Sequence, residues 1–473
     1  MNHEYHWNII NPSTIETSDT TDTTDTTDTT LYNLISGTSG QTQSLLMNSF
    51  WQNYNDLTNL VDPDAFSRYE QSQDRDWYSL LLRVCLLAMG LRHINVNEST
   101  LCDISGEGRE SKLHRAAKNY LERGQGDTNT FAFAQALLIL ADLECGVGRT
   151  ESGWMYASES TRARGTLSSI EAIRFSLQTS DEEAQARARI LSCCNFYDQF
   201  WRISFVRPIG LGFTGLRVPK ILQKLSSEAA ISCPSSNMLE LRSAWLRLLD
   251  ITSRITTDME SKLRSPKRPA FHKLATMDTE LHRWYAGLPA SIQWLPNNIS
   301  EARLSYFILH QHYHSLLILV HWRSTYYKTY EEYDDGDDAS LINQLSLTSR
   351  KICRENALRV LRTMQACTKR FDCQNMPMIT VQHLMIASTV FIAQTLAGGN
   401  GEEPSPLEEV EYLAQAFSKL STIFQLAEEP YRILSSMIPN PGSVLGALQN
   451  LRSPPTILHF ILKPFIHQEL SSV

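Results

Sequence analysis

Residues 186–211 read ARARILSCCNFYDQFWRISFVRPIGL: an adjacent cysteine pair, one carboxylate among aromatics, and an Arg-Pro exit. Wound as a helix, Ile190, Cys193, Cys194, Tyr197, Trp201, Ser204 and Phe205 share one face. Leu191, Phe196, Phe200 and Ile203 make most of the remaining surface apolar as well, so this helix is expected to be buried on several sides. Neighbouring cysteines point about 100° apart around a helix, which suits core packing better than pairing or shared chelation. Asp198 is then expected to be buried too, and a buried carboxylate needs a partner. Arg207, just past the helix end and held by Pro208, is the expected one. This buried pair, Asp198 with Arg207, is architectural, since losing one member of such a pair costs about 3–5 kcal/mol.

Working outward, the same 3.6-residue periodicity runs from Leu45 nearly to the end. Leu113, Ala116, Ala117, Tyr120 and Leu121 recur at helical spacing, as do Ala134, Leu137, Leu138, Ala141 and Cys145. Further helices are predicted over 51–54, 77–93, 152–164, 182–205, 239–263, 271–287, 302–327, 349–370, 381–396 and 410–426. No stretch shows strand alternation, so the predicted fold is all-α. Breakers fall at 124–129, 226–237, 289–298 and 398–406, and an acidic loop, EEYDDGDD, covers about 331–340. No 20–50-residue period repeats, which argues against a solenoid. Asp19–Thr30 is the triplet DTT repeated four times. Without core-forming residues it cannot offset its ordering entropy, so residues 1–44 are expected to be a disordered Thr/Asp-rich tail before one large helical domain, 45–473. A threonine-rich phosphorylation target is the functional alternative for that tail.

Charge is spread unevenly. The chain carries a net charge of −8, and residues 1–67 hold nine acids with no Lys or Arg. Phosphate neutralisation requires basic side chains, so this is the last place to expect a DNA reader. No apolar run is expected to approach the ~18 residues of a membrane helix, Leu80–Leu91 being interrupted by Arg83. The first residues lack the order of a secretory signal, and an intracellular, soluble chain is expected. Nine cysteines, an odd number, fit reduced thiols packed as small hydrophobes.

Chemical motifs are weak when weighed in context. GLGFTG (Gly210–Gly215) matches G-x-G-x-x-G, but it follows a predicted helix and Pro219 interrupts what comes next, so a connecting loop explains it. His310, His312 and His314, with His321 beyond, do not converge from one helix, because His312 points away from the other two. The cysteines include no C-x2-C pair, and neither a nucleophile elbow nor a phosphate loop is present. SKLRSPKRPAFHK (Ser261–Lys273) is either a nuclear-import signal or an ordinary basic loop. No catalytic, cofactor or metal residues are therefore assigned.

The opening stretch resembles the regulatory domain, or middle homology region, of fungal zinc-cluster transcription factors. Arg189, Asp198, Arg207 and Pro208 occupy the places of that family's Arg-led aromatic helix, Asp and Arg-Pro exit. Other landmarks follow in family order: 45–66, KLHRAAKNYLERG, then FAFAQALLILADLECGVGRTESGWMYAS with Trp154 and Arg162, then LHRWYAGLP, 310–324 and 352–364. Departures include Leu191-Ser192 for a paired Trp, Gln199 for an Arg, and His321-Trp322-Arg323-Ser324 for a His-Arg-Pro. The resemblance implies an all-α, nuclear transcriptional regulator of a metabolic or secondary-metabolite gene set, not an enzyme, whose helical domain restrains activity or senses a small-molecule effector. The family's six-cysteine zinc cluster has no counterpart before Cys85. The expected partner is thus a protein carrying a DNA-binding domain, or a second copy or relative of this chain, unless the gene start lies upstream. A ligand-binding or scaffold helical protein and a helical enzyme using the histidine-rich helix are the readings from other classes.

Overall fold

A computed structural model describes residues 25–94, 101, 104–106, 108–124, 128, 130–167, 181–205, 236–264, 271–322, 324–325, 336–396, 406–439 and 446. Among them there is no strand. In chain order the helices are α1 (Asp25–Ser36), α2 (Gly40–Ser49), a π-turn (Phe50–Tyr54), α3 (Asn55–Thr58), α4 (Pro63–Ser72), α5 (Leu80–Arg92) and α6 (Lys112–Glu122). Then come α7 (Phe131–Gly146), α8 (Thr150–Leu167), α9 (Asp181–Phe205), α10 (Ser236–Arg264), α11 (Phe271–Ala286) and α12 (Pro296–Glu301). The last are α13 (Leu304–Trp322), α14 (Gly336–Thr368), α15 (Ile379–Leu396), α16 (Leu407–Leu420) and α17 (Glu428–Met437).

Three apolar helices organise the core. Every residue of α7 is buried, and α13 and α15 are buried along nearly their whole length. Amphipathic neighbours cover them: α8 packs on α7, α14 on α13 and on α15, and α5 joins α7 to α2 and α6. Their starts are set by side-chain caps. Ser79, Ser111 and Thr130 accept hydrogen bonds from the amides of Leu82, His114 and Phe133, and Asp62 caps α4 ahead of Pro63. The α2–α5 crossing is close enough that a β-carbon at Gly90 would lie 2.0 Å from the Leu46 carbonyl oxygen, and Ser49 Oγ donates to the Gly90 carbonyl at 2.9 Å.

Several sequence expectations need correcting. Helical structure begins at Asp25, inside the segment 1–44 assigned to a tail, because the repeat runs directly into LYNLIS and Leu31 is buried in the core cluster. The two final DTT triplets continue as the polar start of an anchored helix. The acidic loop ends earlier than expected, with Gly336 already opening α14 thirteen residues before its predicted start at Ser349. Carboxylates are favoured in a helix's first turn, so Asp337 and Asp338 continue the helix rather than break it. One apolar run does reach spanning length: α15 has 18 residues at mean hydropathy 1.4, but 83% of it is buried inside the fold. Gln382, His383, Ser388 and Thr389, all buried among its neighbours, mark it as a core helix.

Candidate functional site

The chemistry-bearing side chains concentrate at the ends of α5 and α7. Helix α7 is apolar all round yet carries Asp142 and Glu144 in its last turn, both buried. The helix closes in a paired bond pattern, Gly148 N–H to the Cys145 carbonyl at 3.0 Å and Arg149 N–H to the Glu144 carbonyl at 2.9 Å. Gly148 supplies the required left-handed turn at φ 84°. That turn folds Arg149 back over Glu144, so the helix end delivers the cation that its own buried acid needs.

Glu144 is the hub. Arg149 donates from Nε to Oε2 at 2.8 Å and from Nη2 to Oε1 at 2.5 Å, and reaches Glu110 Oε1 at 2.5 Å. His114 Nε2 lies 2.7 Å from Glu144 Oε1, and Lys118 Nζ lies 3.5 Å from Oε2. Burial pushes the Glu144 carboxyl up, but the Arg149 and His114 contacts outweigh it and hold the group at about 2. His114 shifts down, burial outweighing the raising effect of Glu144, and therefore stays neutral near pH 7. Glu110, His114 and Glu144 bring three donor atoms within 4.8 Å of one another, the spacing of a metal site. The Arg149 guanidinium already bridges both carboxylates, so a cation would have to displace it; the trio reads as an ion-pair hub.

A second polar group lies one turn back. Arg92, at the end of α5, donates to the carbonyls of Asp142 at 3.1 Å and Leu143 at 2.7 Å. Its Nη1 stands 3.7 Å from Asp142 Oδ1, and its face covers Phe424 at 5.7 Å. Gly146 leaves it room, since a β-carbon there would meet the guanidinium at 2.5 Å. Tyr197 from α9 donates to Asp142 Oδ2 at 3.1 Å and is itself bonded to Tyr54 of the π-turn. Burial raises the Asp142 carboxyl, partly countered by Arg92, and raises both tyrosines well above the usual phenol range. These side chains tie α5, α7, α9 and the π-turn into one unit, with no nucleophile placed against a base.

Sequence-derived residues are placed as follows. Asp198 is buried, as its helical position implied, but its described partner is Arg202, whose Nε donates to Oδ2 at 2.8 Å. Gln199 donates to the same oxygen at 3.3 Å and accepts from Thr256 Oγ1 at 2.7 Å, linking α9 to α10. Arg207, Pro208 and GLGFTG lie outside the described residues, as does most of the basic stretch after Arg264. Arg189 pairs with Asp62, the cap of α4, at 3.4 Å. Among the described residues all seven cysteines are buried thiols, and burial raises Cys193 well above its usual value.

The histidines of α13 do not converge. His310 contacts the Ile292 carbonyl at 3.1 Å, His314 contacts Asn356 at 2.8 Å, and His321 contacts Asp278 at 3.0 Å. His312 bridges Thr252 and His383, at 3.1 and 3.0 Å. Burial lowers His310 and His312 to about 3 and His314 to about 4, so these rings are neutral spacers. The acids of α7, rather than the histidines, are the residues sequence reading missed. Two carboxylates inside LLILADLECG, where every neighbour is apolar, were the available signal.

Cavities are small. One beside Tyr54, Asp142 and Tyr197 encloses about 10 Å3, roughly one water. A groove between α1 and α6 holds about 180 Å3, below the ~300 Å3 at which small-molecule sites begin.

Over residues 47–286, from α2 to the end of α11, the chain matches the fungal specific transcription factor domain. A Schizosaccharomyces pombe protein described as an uncharacterized transcriptional regulatory protein is 23% identical over 322 residues, 63% of this chain. The chain spans about half the length of that relative, since the match covers 50% of it. No solved structure matches. The domain match covers the helices that carry the charge hub and most landmarks of the opening resemblance, and by it this chain belongs to the fungal specific transcription factor domain family.

Proposed function

We propose that this protein regulates transcription of a metabolic or secondary-metabolite gene set from the nucleus, with its helical domain serving as a docking and restraining body rather than a catalyst. The observation that carries this reading is the family match over 47–286 together with polar groups committed to internal ion pairs. Residues 1–67 hold no Lys or Arg and no cysteine precedes Cys85, which favours DNA contact through a zinc-cluster domain outside these 473 residues, carried by a protein partner or by a longer form of this chain. A small-molecule effector would bias that docking.

The test is chromatin immunoprecipitation of the tagged full chain, repeated after deletion of each zinc-cluster protein that co-purifies with it. Promoter occupancy that vanishes with one partner is the expected result. Sequence-specific binding of naked promoter DNA by the purified chain alone overturns the partner reading. An unchanged transcriptome on deletion, with the protein held in the cytoplasm, overturns the regulatory one.

A further inference from the structure

The groove between α1 and α6 is lined by Thr30 and Leu31 on one side and by Lys112, Arg115, Ala116, Asn119, Tyr120 and Arg123 on the other. The second set falls at positions i, i+3, i+4, i+7, i+8 and i+11, one continuous stripe along α6 and the residue past its end. Three of its side chains are cationic, one is an amide, and no carboxylate is among the described lining residues. Lys112 and Arg123 form no ion pair among the described residues, while Arg115 reaches Glu110 at 3.5 Å with half its side chain exposed. Opposite them stands α1, drawn from the N-terminal 67 residues that hold no Lys or Arg, and buried Leu31 fixes α1 with the exposed Thr30 among the groove's lining residues.

We propose that this groove is a phosphate site for the chain's own Thr30, and that phosphorylation there clamps the N-terminal helix to the regulatory domain. Three cations lining about 180 Å3 suit a tetrahedral dianion with its bound water. A protein kinase would supply the group. The Thr30 Oγ1–P bond forms as the bond from the γ-phosphorus to the nucleoside diphosphate breaks, and the hydroxyl proton passes to the kinase's base. Access requires only that the start of α1 open, and its first six residues, DTTDTT, hold no apolar side chain to resist this. The site is independent of how DNA is contacted, so its failure and the failure of the partner reading are separate results.

The test uses full-length protein with phosphothreonine encoded at position 30, compared with unmodified chain by amide hydrogen exchange. Exchange across 31–36 should slow about tenfold, the effect of one to three charge-assisted bonds. The doubly substituted Lys112→Gln, Arg115→Gln protein should lose that protection; both side chains are exposed, and circular dichroism checks that it folds. Phosphothreonine at the neighbouring position 29, about 100° around α1, should protect far less. Unchanged exchange, protection that survives in the double variant, or equal protection from position 29 each overturns the proposal. Millimolar inorganic phosphate on unmodified protein distinguishes the other source: protection dependent on Arg115 from free phosphate, with none from phosphothreonine 30, reassigns the groove to a free anion.

Discussion

The α5–α9 hub and the α13–α15 histidine row both bury polar side chains in helices that are apolar on every face, yet they solve the problem in opposite ways. Around Glu144 and Asp142 the carboxyl groups are set against cations: Glu144 is held at about 2 by Arg149 and His114 with Lys118 nearby, and Asp142, which burial raises, stands beside Arg92. Along α13 burial strips the imidazoles of charge, and neutral rings hydrogen-bond to Thr252, Asn356, His383 and a backbone carbonyl. A charge needs a counter-charge once water is removed, whereas a neutral ring needs only a donor or acceptor. The first arrangement therefore depends on each member far more steeply than the second.

That asymmetry can be broken most directly at Arg92. Arg92→Met leaves Asp142 buried without its cation, and urea denaturation should show a loss of about 3–5 kcal/mol. Joint replacement of His312 and His383 by leucine removes both members of a neutral pair and should cost about 1 kcal/mol. Similar losses at the two places would erase the distinction.

The Asp198 pairing sharpens it next. A double-mutant cycle between Asp198→Asn and Arg202→Met should give a coupling of about 0.5–3 kcal/mol, as for other contacting residues. The parallel cycle with Arg207→Met asks whether the residue first expected from sequence shares the load. Coupling to Arg207 alone would return the pairing to that expectation.

Acid titration gives the most graded contrast. His310 and His312 have folded values near 3, below an unfolded value of about 6.5, so between these limits the unfolded chain binds more protons and stability falls as pH drops. Each ring should contribute a slope of roughly 1 kcal/mol per pH unit below about pH 6. Glu144, held at about 2, contributes stability that is complete above its unfolded value of roughly 4.3 and is lost only as pH falls toward 2. His312→Gln should flatten the stability profile between pH 6 and 4, while Glu144→Gln should flatten it only below about 4.5. Reversal of those windows would sink the assignment of charge states.

Much of this was readable in the chain. The helix over 182–205 was predicted within one residue of its observed start, and Asp198 was placed in the core from its position among Tyr197, Phe200 and Trp201. Its described partner, Arg202, stands four residues on, the ordinary helical pairing distance, whereas Arg207 lies outside the described residues. The start of α1 was misread because composition spoke for DTTDTT while Leu31, only one residue on, anchors the whole helix. The hub was missed because Glu110, His114, Glu144 and Arg149 come from separate segments, and nothing in their spacing announces that they meet.

Sequence alone determined an all-α fold, where most of the described helices lie, and the burial of the helix that carries Asp198. Periodicity and local charge are properties of neighbours along the chain, so they can be read without folding it. Which cation answers each buried acid, that the histidines diverge, and that Thr30 faces a basic stripe on α6 were decided only by the packing of helices. Pairing a charge is a matter of distances of a few ångströms in space, and separations along the sequence do not encode those.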